Sequence, residues 1–224
     1  MPRISTIDKL QAKIEKDIAW RKKECADIFA INSLQTEYNQ KVSIKASVVI
    51  LYSHWEGFVK KASAFYLDFL SSQRLKYRDL DERFIIHYIS QAYCDINTKF
   101  TKSLIYDIHF QDKIGHAEDV FKVDGFTELN KFSNINSEQF FDILRTICID
   151  ESSPAVKYFD LKRNFLDETI VGKRNSIAHG NYTDIDFEMY QNMHEVIMEM
   201  LNRYSTLLLD IAENKEYLRE PQEA

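Results

Sequence analysis

Apolar residues fall into helical register along most of this chain. Ile7, Leu10, Ile14, Ile18, Cys25 and Ile28 follow one another at steps of three, four or seven, which puts them on one stripe of a helix. Ser5 is placed to cap that helix, with Asp8 three residues on in a variant of the capping box, and Lys and Glu fill the opposite face. The second helix has the most regular pattern in the chain. Ile44, Val48, Leu51, Trp55, Phe58, Ala62, Phe65 and Phe69 alternate steps of four and three, and Val49, Tyr52, Val59 and Tyr66 widen the stripe. A helix apolar over so much of its circumference belongs at the centre of a core.

Between about 76 and 155 the pattern loosens. Phe84 to Tyr93 and Thr98 to His109 read as short helices, and residues 121–126 as either a short strand with a turn or an irregular loop. Ser137 to Ile147 reads as a helix again, with Phe140, Phe141, Leu144 and Ile147 on one side. A run from Pro154 through Phe159, Phe165, Leu166, Ile170 and Ile177 leads to Gly180, a C′ residue suited to end a helix in the left-handed conformation. Thr183, with Asp186 three on, opens a last long helix through Tyr190, Met193, Ile197, Leu201, Tyr204 and Leu208. The charged end, 214–224, is expected to fray.

Composition agrees with the pattern. Five Gly and three Pro in 224 residues are too few for the turns of a sheet protein, which leaves an all-α chain. No linker or internal repeat divides it, so 1–224 reads as a single domain with an ordered core over about 1–210. Three cysteines, far apart and odd in number, support neither a disulfide framework nor a thiolate zinc site; they read as reduced thiols of a cytoplasmic protein. No apolar run reaches membrane-spanning length and no signal peptide is seen. The net charge of −6 argues against a broad nucleic-acid-binding surface, though not against a small local patch.

Arg174-Asn175-Ser176-Ile177-Ala178-His179-Gly180 concentrates the chemistry of the chain at a helix end. A guanidinium stays charged, whereas an imidazole titrates near neutrality. Such a pair suits holding a phosphate while moving a proton. At this point the sequence resembles the HEPN superfamily, whose ribonuclease members carry an Arg, often a polar residue, and a His four to six positions on. The helix through Tyr52-Ser53-His54-Trp55-Glu56-Gly57-Phe58-Val59-Lys60, and Ser133-Asn134-Ile135-Asn136 before an amphipathic helix, also resemble one stand-alone bacterial branch.

That resemblance implies a helical bundle of HEPN type with inserted short helices and loops, acting as a metal-independent endoribonuclease that needs no cofactor. In it Arg174 would grip phosphate oxygens, His179 would serve as general acid or base, and Asn175 would orient His179 or hold an oxygen. It implies a 2′,3′-cyclic phosphate product, and a toxin or anti-phage effector held in check or activated by a partner such as an antitoxin. Helix geometry adds that five residues turn about 500°, leaving Arg174 and His179 roughly 140° apart. One copy does not converge on a single phosphate; two copies facing across a two-fold axis would, so a homodimer is expected.

Other residues stand further back. Glu56 reads as half of an ion pair with a neighbouring helix, or as a group orienting Arg174. Tyr182 lies one residue beyond the position where some family members carry a modified Tyr, which here is Asn181. Lys162, Arg163 and Lys173, with Lys60 and Lys61, read as RNA-backbone contacts or as solvated faces. Arg83 and His87 read as an exposed pair, while His54, His87 and His194, each standing alone beside apolar positions, read as packed histidines. The cluster of His109, His116, Glu118 and Asp119 has no recognised metal-ligand spacing, so no metal site is assigned. The alternative to a nuclease is a non-catalytic HEPN-like dimeric module that binds a nucleotide, an RNA or a protein.

Overall fold

The computed structural model describes residues 4–85, 87 and 118–219. Among these, seven α-helices form and no strand does; pairing of β type is limited to isolated bridges at Lys76–Val120 and Leu80–Leu218. The helices are α1 (Ile7–Ser33), α2 (Glu37–Ser72), α3 (Gly125–Leu129), α4 (Ser137–Thr146), α5 (Lys157–Leu161), α6 (Gly172–Ala178) and α7 (Phe187–Asn214). Short 3-10 turns cover Tyr77–Asp79 and Glu82–Phe84, and a π-helical segment, Phe165–Val171, runs directly into α6. The fold is therefore all-α, as the composition requires. None of the described helices is long and apolar enough to cross a membrane.

The 36 residues of α2 span about 54 Å at 1.5 Å each. Every residue of its eight-membered stripe is buried, as are Tyr52, Val59 and Tyr66; Val49 is half-buried. α1 and α7 pack along it and on each other, and α3, α4, α6 and the π segment close the remaining sides. Where α2 meets α4, α5 and α7 an aromatic cluster fills the core. Phe140 lies 5.3 Å from Trp55, 4.9 Å from Phe159 and 5.4 Å from Tyr204 between ring centroids. Ring contacts at these distances add to what burial of each large side chain contributes, roughly 1.5–3 kcal/mol.

The interface between α1 and α2 is not the apolar seam that its spacing predicts. Asp17 and Arg21 are buried beside Leu10, Ile14 and Cys25. Asp17 accepts from Arg21 Nε at 2.7 Å and from Lys61 Nζ at 2.6 Å, and the Arg21 guanidinium lies 4.6 Å above the Trp20 ring. Gly57 makes room for it: a Cβ there would stand 2.7 Å from Arg21 Nη1. Burial works to raise the Asp17 pKa, but the hydrogen bonds from Lys61 and Arg21 outweigh it and hold the carboxyl below its usual range. His54 is buried nearby, with Nε2 2.9 Å from Glu24 Oε2 but outside hydrogen-bonding geometry, and burial pushes its pKa down.

Several boundaries differ from expectation. The cap of α1 is Thr6, whose Oγ1 accepts from Lys9 N at 3.3 Å, while Ser5 Oγ takes the Lys9 ammonium instead. The cap of α7 is Asp186, which accepts from Met189 N at 2.8 Å; Thr183 is buried and donates to the Asn181 carbonyl. Residues 121–124 form an extended link ending at Asp124, the cap of α3. The run from Pro154 is broken at Lys162 before the π segment begins. Past Asn214 the chain does not fray as far as Arg219: Tyr217 is buried, and Arg219 N donates to Asp79 O. The stretches expected to be helical over 88–93 and 98–109 lie outside the described residues.

Removing the Asp17 charge leaves Arg21 buried without its partner, a loss worth about 3–5 kcal/mol. Asp17→Asn should therefore lower the urea midpoint by that equivalent at neutral pH. Because the folded-state pKa is depressed, the stability it supplies is present above the ordinary value of 3.8 and is lost as pH falls through the lowered one. The acid limb of stability against pH should accordingly be shallower in the variant, read from denaturation midpoints across acidic pH.

Candidate functional site

The motif helix α6 continues without a break from the π segment, whose wider turn is a feature that often marks functional sites. Asp167 in that segment clasps the loop before α4: its carboxylate accepts from Ser137 N and Ser137 Oγ, both at 2.6 Å. The same loop is fixed to α2 by Lys60 Nζ donating to Phe132 O at 2.8 Å and by Trp55 Nε1 donating to Ile135 O at 3.3 Å. Asn136 caps α4 through Gln139 N. Asn134, between these anchors, adopts the left-handed conformation (φ 58°), which its short polar side chain tolerates.

Asn134 is there for Arg174. The Arg174 Nη1 donates to Asn134 Oδ1 at 3.1 Å and to Asn175 Oδ1 at 2.7 Å, and Arg174 Cζ lies 4.4 Å above the Tyr52 ring. Among the described residues both hydrogen bonds use Nη1, and no carboxylate pairs with the guanidinium. The Nε–Nη2 edge is therefore left whole, the edge that grips two oxygens of a phosphate at once. A half-buried guanidinium held by neutral amides and an aromatic face keeps its full charge for a ligand.

Tyr52 donates its hydroxyl to Glu56 Oε2 at 2.6 Å. Burial, then that hydrogen bond, push the phenol well above its usual pKa, so the ring stays neutral under Arg174. Glu56 thus acts on its own helix. It makes no ion pair with a neighbouring one among the described residues, and it reaches Arg174 only through Tyr52.

His179 goes elsewhere. It is the C-cap residue of α6, exposed, and its side chain makes no hydrogen bond, ion pair or ring contact among the described residues. Asn181 N donates to Ser176 O at 2.9 Å and Gly180 N to Ile177 O at 3.0 Å, a Schellman closure with Gly180 left-handed at φ 73°, as the sequence predicts. Asn175 is bound to Arg174 and not to the imidazole. Arg174 and Asn175 are brought together; His179 is set apart from them in this one chain.

The remaining candidates are dispersed. Tyr182 is 89% exposed, its ring 5.6 Å from Lys45 Nζ. Arg163 is tied to Asp160 at 2.7 Å and stacks 3.5 Å above Phe141, and Lys162 lies against Tyr158 and Phe165. Lys173 is half-buried without an ion pair among the described residues. Arg83 binds Asp81, and His87 is no exposed partner of it but a packed histidine, buried with Nε2 2.6 Å from Thr146 O. His194 is half-buried, its ring 4.8 Å from Phe29. His109 and His116 lie outside the described residues, and Glu118 is paired with Lys76 and Arg78.

A cleft of about 410 Å³ opens beside Arg174, between α2 and α3. Tyr52, Glu56, Lys60, Phe126, Leu129 and Asn130 are among the residues that line it with Arg174. Spacing alone did not single out Asn134, Asp167 or the role of Tyr52. The first stands in Ser133-Asn134-Ile135-Asn136 and the last in the α2 segment around His54, the two stretches quoted above for their resemblance.

The family model of HEPN_MAE_28990-like HEPN proteins matches residues 10–217. No match was found among curated proteins or among solved structures.

Gly180 sits where an added Cβ meets nothing within 4 Å, so a substitution there is opposed by backbone strain alone. Gly180→Ala should cost about 1–2 kcal/mol, with Gly180→Asn closer to the parent. Urea midpoints of the three proteins check the order.

Proposed function

From the premise that this chain belongs to the HEPN_MAE_28990-like HEPN family, we propose that it is a metal-independent endoribonuclease whose site is composed from two copies. The observation that carries this reading is Arg174, clamped through Nη1 and stacked on Tyr52 with its bidentate edge unspent. A preorganised cation of this kind stabilises charge as it develops on a phosphate without having to reorganise.

In the reaction the 2′-oxygen attacks the adjacent phosphorus. A base takes the 2′-hydroxyl proton, the bond from phosphorus to the 5′-oxygen breaks, and an acid protonates the departing oxygen. The products are a 2′,3′-cyclic phosphate and a 5′-hydroxyl. Arg174 holds the non-bridging oxygens and His179 carries protons at one of the two positions. Asn175 and Asn134 hold Arg174 in place, and Tyr52 with Glu56 supports it from below.

Two features support a homodimer. Arg174 is turned into its own bundle while His179 is exposed at the helix end, so one chain offers the two groups to different places. Beside them an apolar face stands uncovered: Tyr38 is 79% exposed and Val42 61%, on the part of α2 that carries Lys45 and, through it, Tyr182. The wider role belongs to the same reading: a toxin or anti-phage effector kept inactive, or switched on, by a partner protein. The separation of the two groups is also what a non-catalytic dimeric module binding a nucleotide, RNA or protein would show, and that is the second reading.

Induced expression of the wild type should arrest growth and leave RNA fragments with cyclic-phosphate ends, and purified protein should cut RNA in the presence of EDTA. His179→Ala should lose about 10²–10⁴-fold in rate, and Arg174→Ala should be inactive as well. Intact RNA with the wild type and both variants would favour the non-catalytic module. Mixed dimers test the composite site directly. Arg174→Ala and His179→Ala chains refolded together should recover activity that neither has alone, at a sedimentation mass twice the 26.5 kDa chain. Full activity in a stable monomer would exclude the two-copy site.

A further inference from the structure

The cleft beside Arg174 has the chemistry of a nucleotide subsite. Two cations line it, Arg174, whose Nε–Nη2 edge makes no hydrogen bond among the described residues, and Lys60, which spends one of its three donors on Phe132 O. Lys61, also on the wall, is neutralised by Asp17 and adds little. Phe126 of α3, half-buried, supplies apolar surface, and Asn130, exposed, an amide with both donor and acceptor. Glu56, also on the wall, has Oε2 taken by the Tyr52 hydroxyl and Oε1 left as a further acceptor. On a chain of net charge −6, Arg174 and Lys60 form a local exception.

We propose that this cleft holds the nucleotide of a single RNA strand adjacent to the scissile phosphate. Lys60 grips its phosphodiester and the base lies against Phe126 within reach of Asn130. The inference rests on the reading of the chain as a ribonuclease, and it adds Lys60 and Asn130 as substrate-binding residues. Arg174 is shared by the two phosphates, which ties the place of cutting to the nucleotide seated in the cleft. A cleft of about 410 Å³ is of the size of one nucleotide, and a base seated in it is one unstacked from a single strand.

The test uses full-length dimer and a fluorescein-labelled oligoribonucleotide methylated at every 2′-oxygen. Such a strand has no nucleophile and is bound without being cut. Anisotropy titrations over a range of salt compare the wild type with Lys60→Met, Lys60→Arg, Asn130→Ala and Lys162→Met. Losing one phosphate contact on a single strand should weaken binding about fivefold at 0.1 M salt and lower the salt slope by about 0.7. That loss is expected for Lys60→Met, with recovery in Lys60→Arg. Asn130→Ala should weaken binding without changing the slope, and Lys162→Met should match the wild type.

A Lys60→Met protein with wild-type affinity and slope overturns the proposal. So does a loss that Lys60→Arg fails to recover, because the bond to Phe132 O would then be the cause. Competition by a nucleoside monophosphate that fully displaces the strand would assign the cleft to a free nucleotide instead. Failure of the nuclease reading is separate. Lys60-dependent binding with no cutting of unmodified RNA removes the reaction and keeps the subsite; cutting with Lys60-independent binding does the reverse.

Discussion

α2 imposes the constraint that the rest of the molecule satisfies. A helix of 36 residues with apolar side chains around most of its circumference cannot stand in water over a length of about 54 Å. α1 and α7 are long enough to cover two of its sides. The third side is covered in pieces by α3, α4, the π segment and α6, and the candidate site is formed on that side. A continuous helix there would leave no cleft. The breaks between short elements let the loop at 132–136 approach α2 and let Arg174 reach Tyr52 over its edge.

The sequence was most informative where burial is simple. The stripe of α2, the face of α4 and the glycine stop at Gly180 follow from periodicity and turn chemistry, and each is found where expected. The α1 stripe shows the limit of that logic. Its pattern names Ile18 and Ile28 as core, yet both are only half-buried, and Asp17 and Arg21 lie inside. Hydropathy ranks side chains one at a time, whereas this pair is buried because each partner meets the other's charge and Gly57 leaves space for the guanidinium. No property of Asp17 alone reports on Lys61, 44 positions away.

The site divides in the same way. Arg174, Asn175 and His179 stand out in the sequence because their types and spacing resemble a motif, and their role as a site is a proposal. Their arrangement is not legible there, since it depends on tertiary neighbours. Asn134 is 40 positions from Arg174, and its usefulness comes from a left-handed backbone that Phe132 and Ile135 anchor on either side. Spacing did not indicate that the Asn175 amide oxygen accepts from the Arg174 guanidinium, because that contact depends on how the two side chains lie on α6. The π segment is what no periodicity count would place.

Net charge and site charge make opposite demands, and the structure accommodates both. An acidic chain repels RNA at long range, where summed charge governs encounter, so affinity must come from contacts at short range. That favours a guanidinium held rigidly by neutral groups over a broad surface of flexible lysines. Arg163 and Lys162 show the contrast. They look like RNA contacts in the sequence, but Arg163 pairs with Asp160, and both lie against rings of their own chain. Arg174 differs from Arg163 in having no carboxylate partner among the described residues, and from Lys162 in being held by two amides. On the proposed reading, an unpaired cation in one copy and an exposed imidazole in another form a site only when two chains meet. Association then becomes the step at which cutting is permitted, and the overall negative charge limits RNA capture by either chain alone.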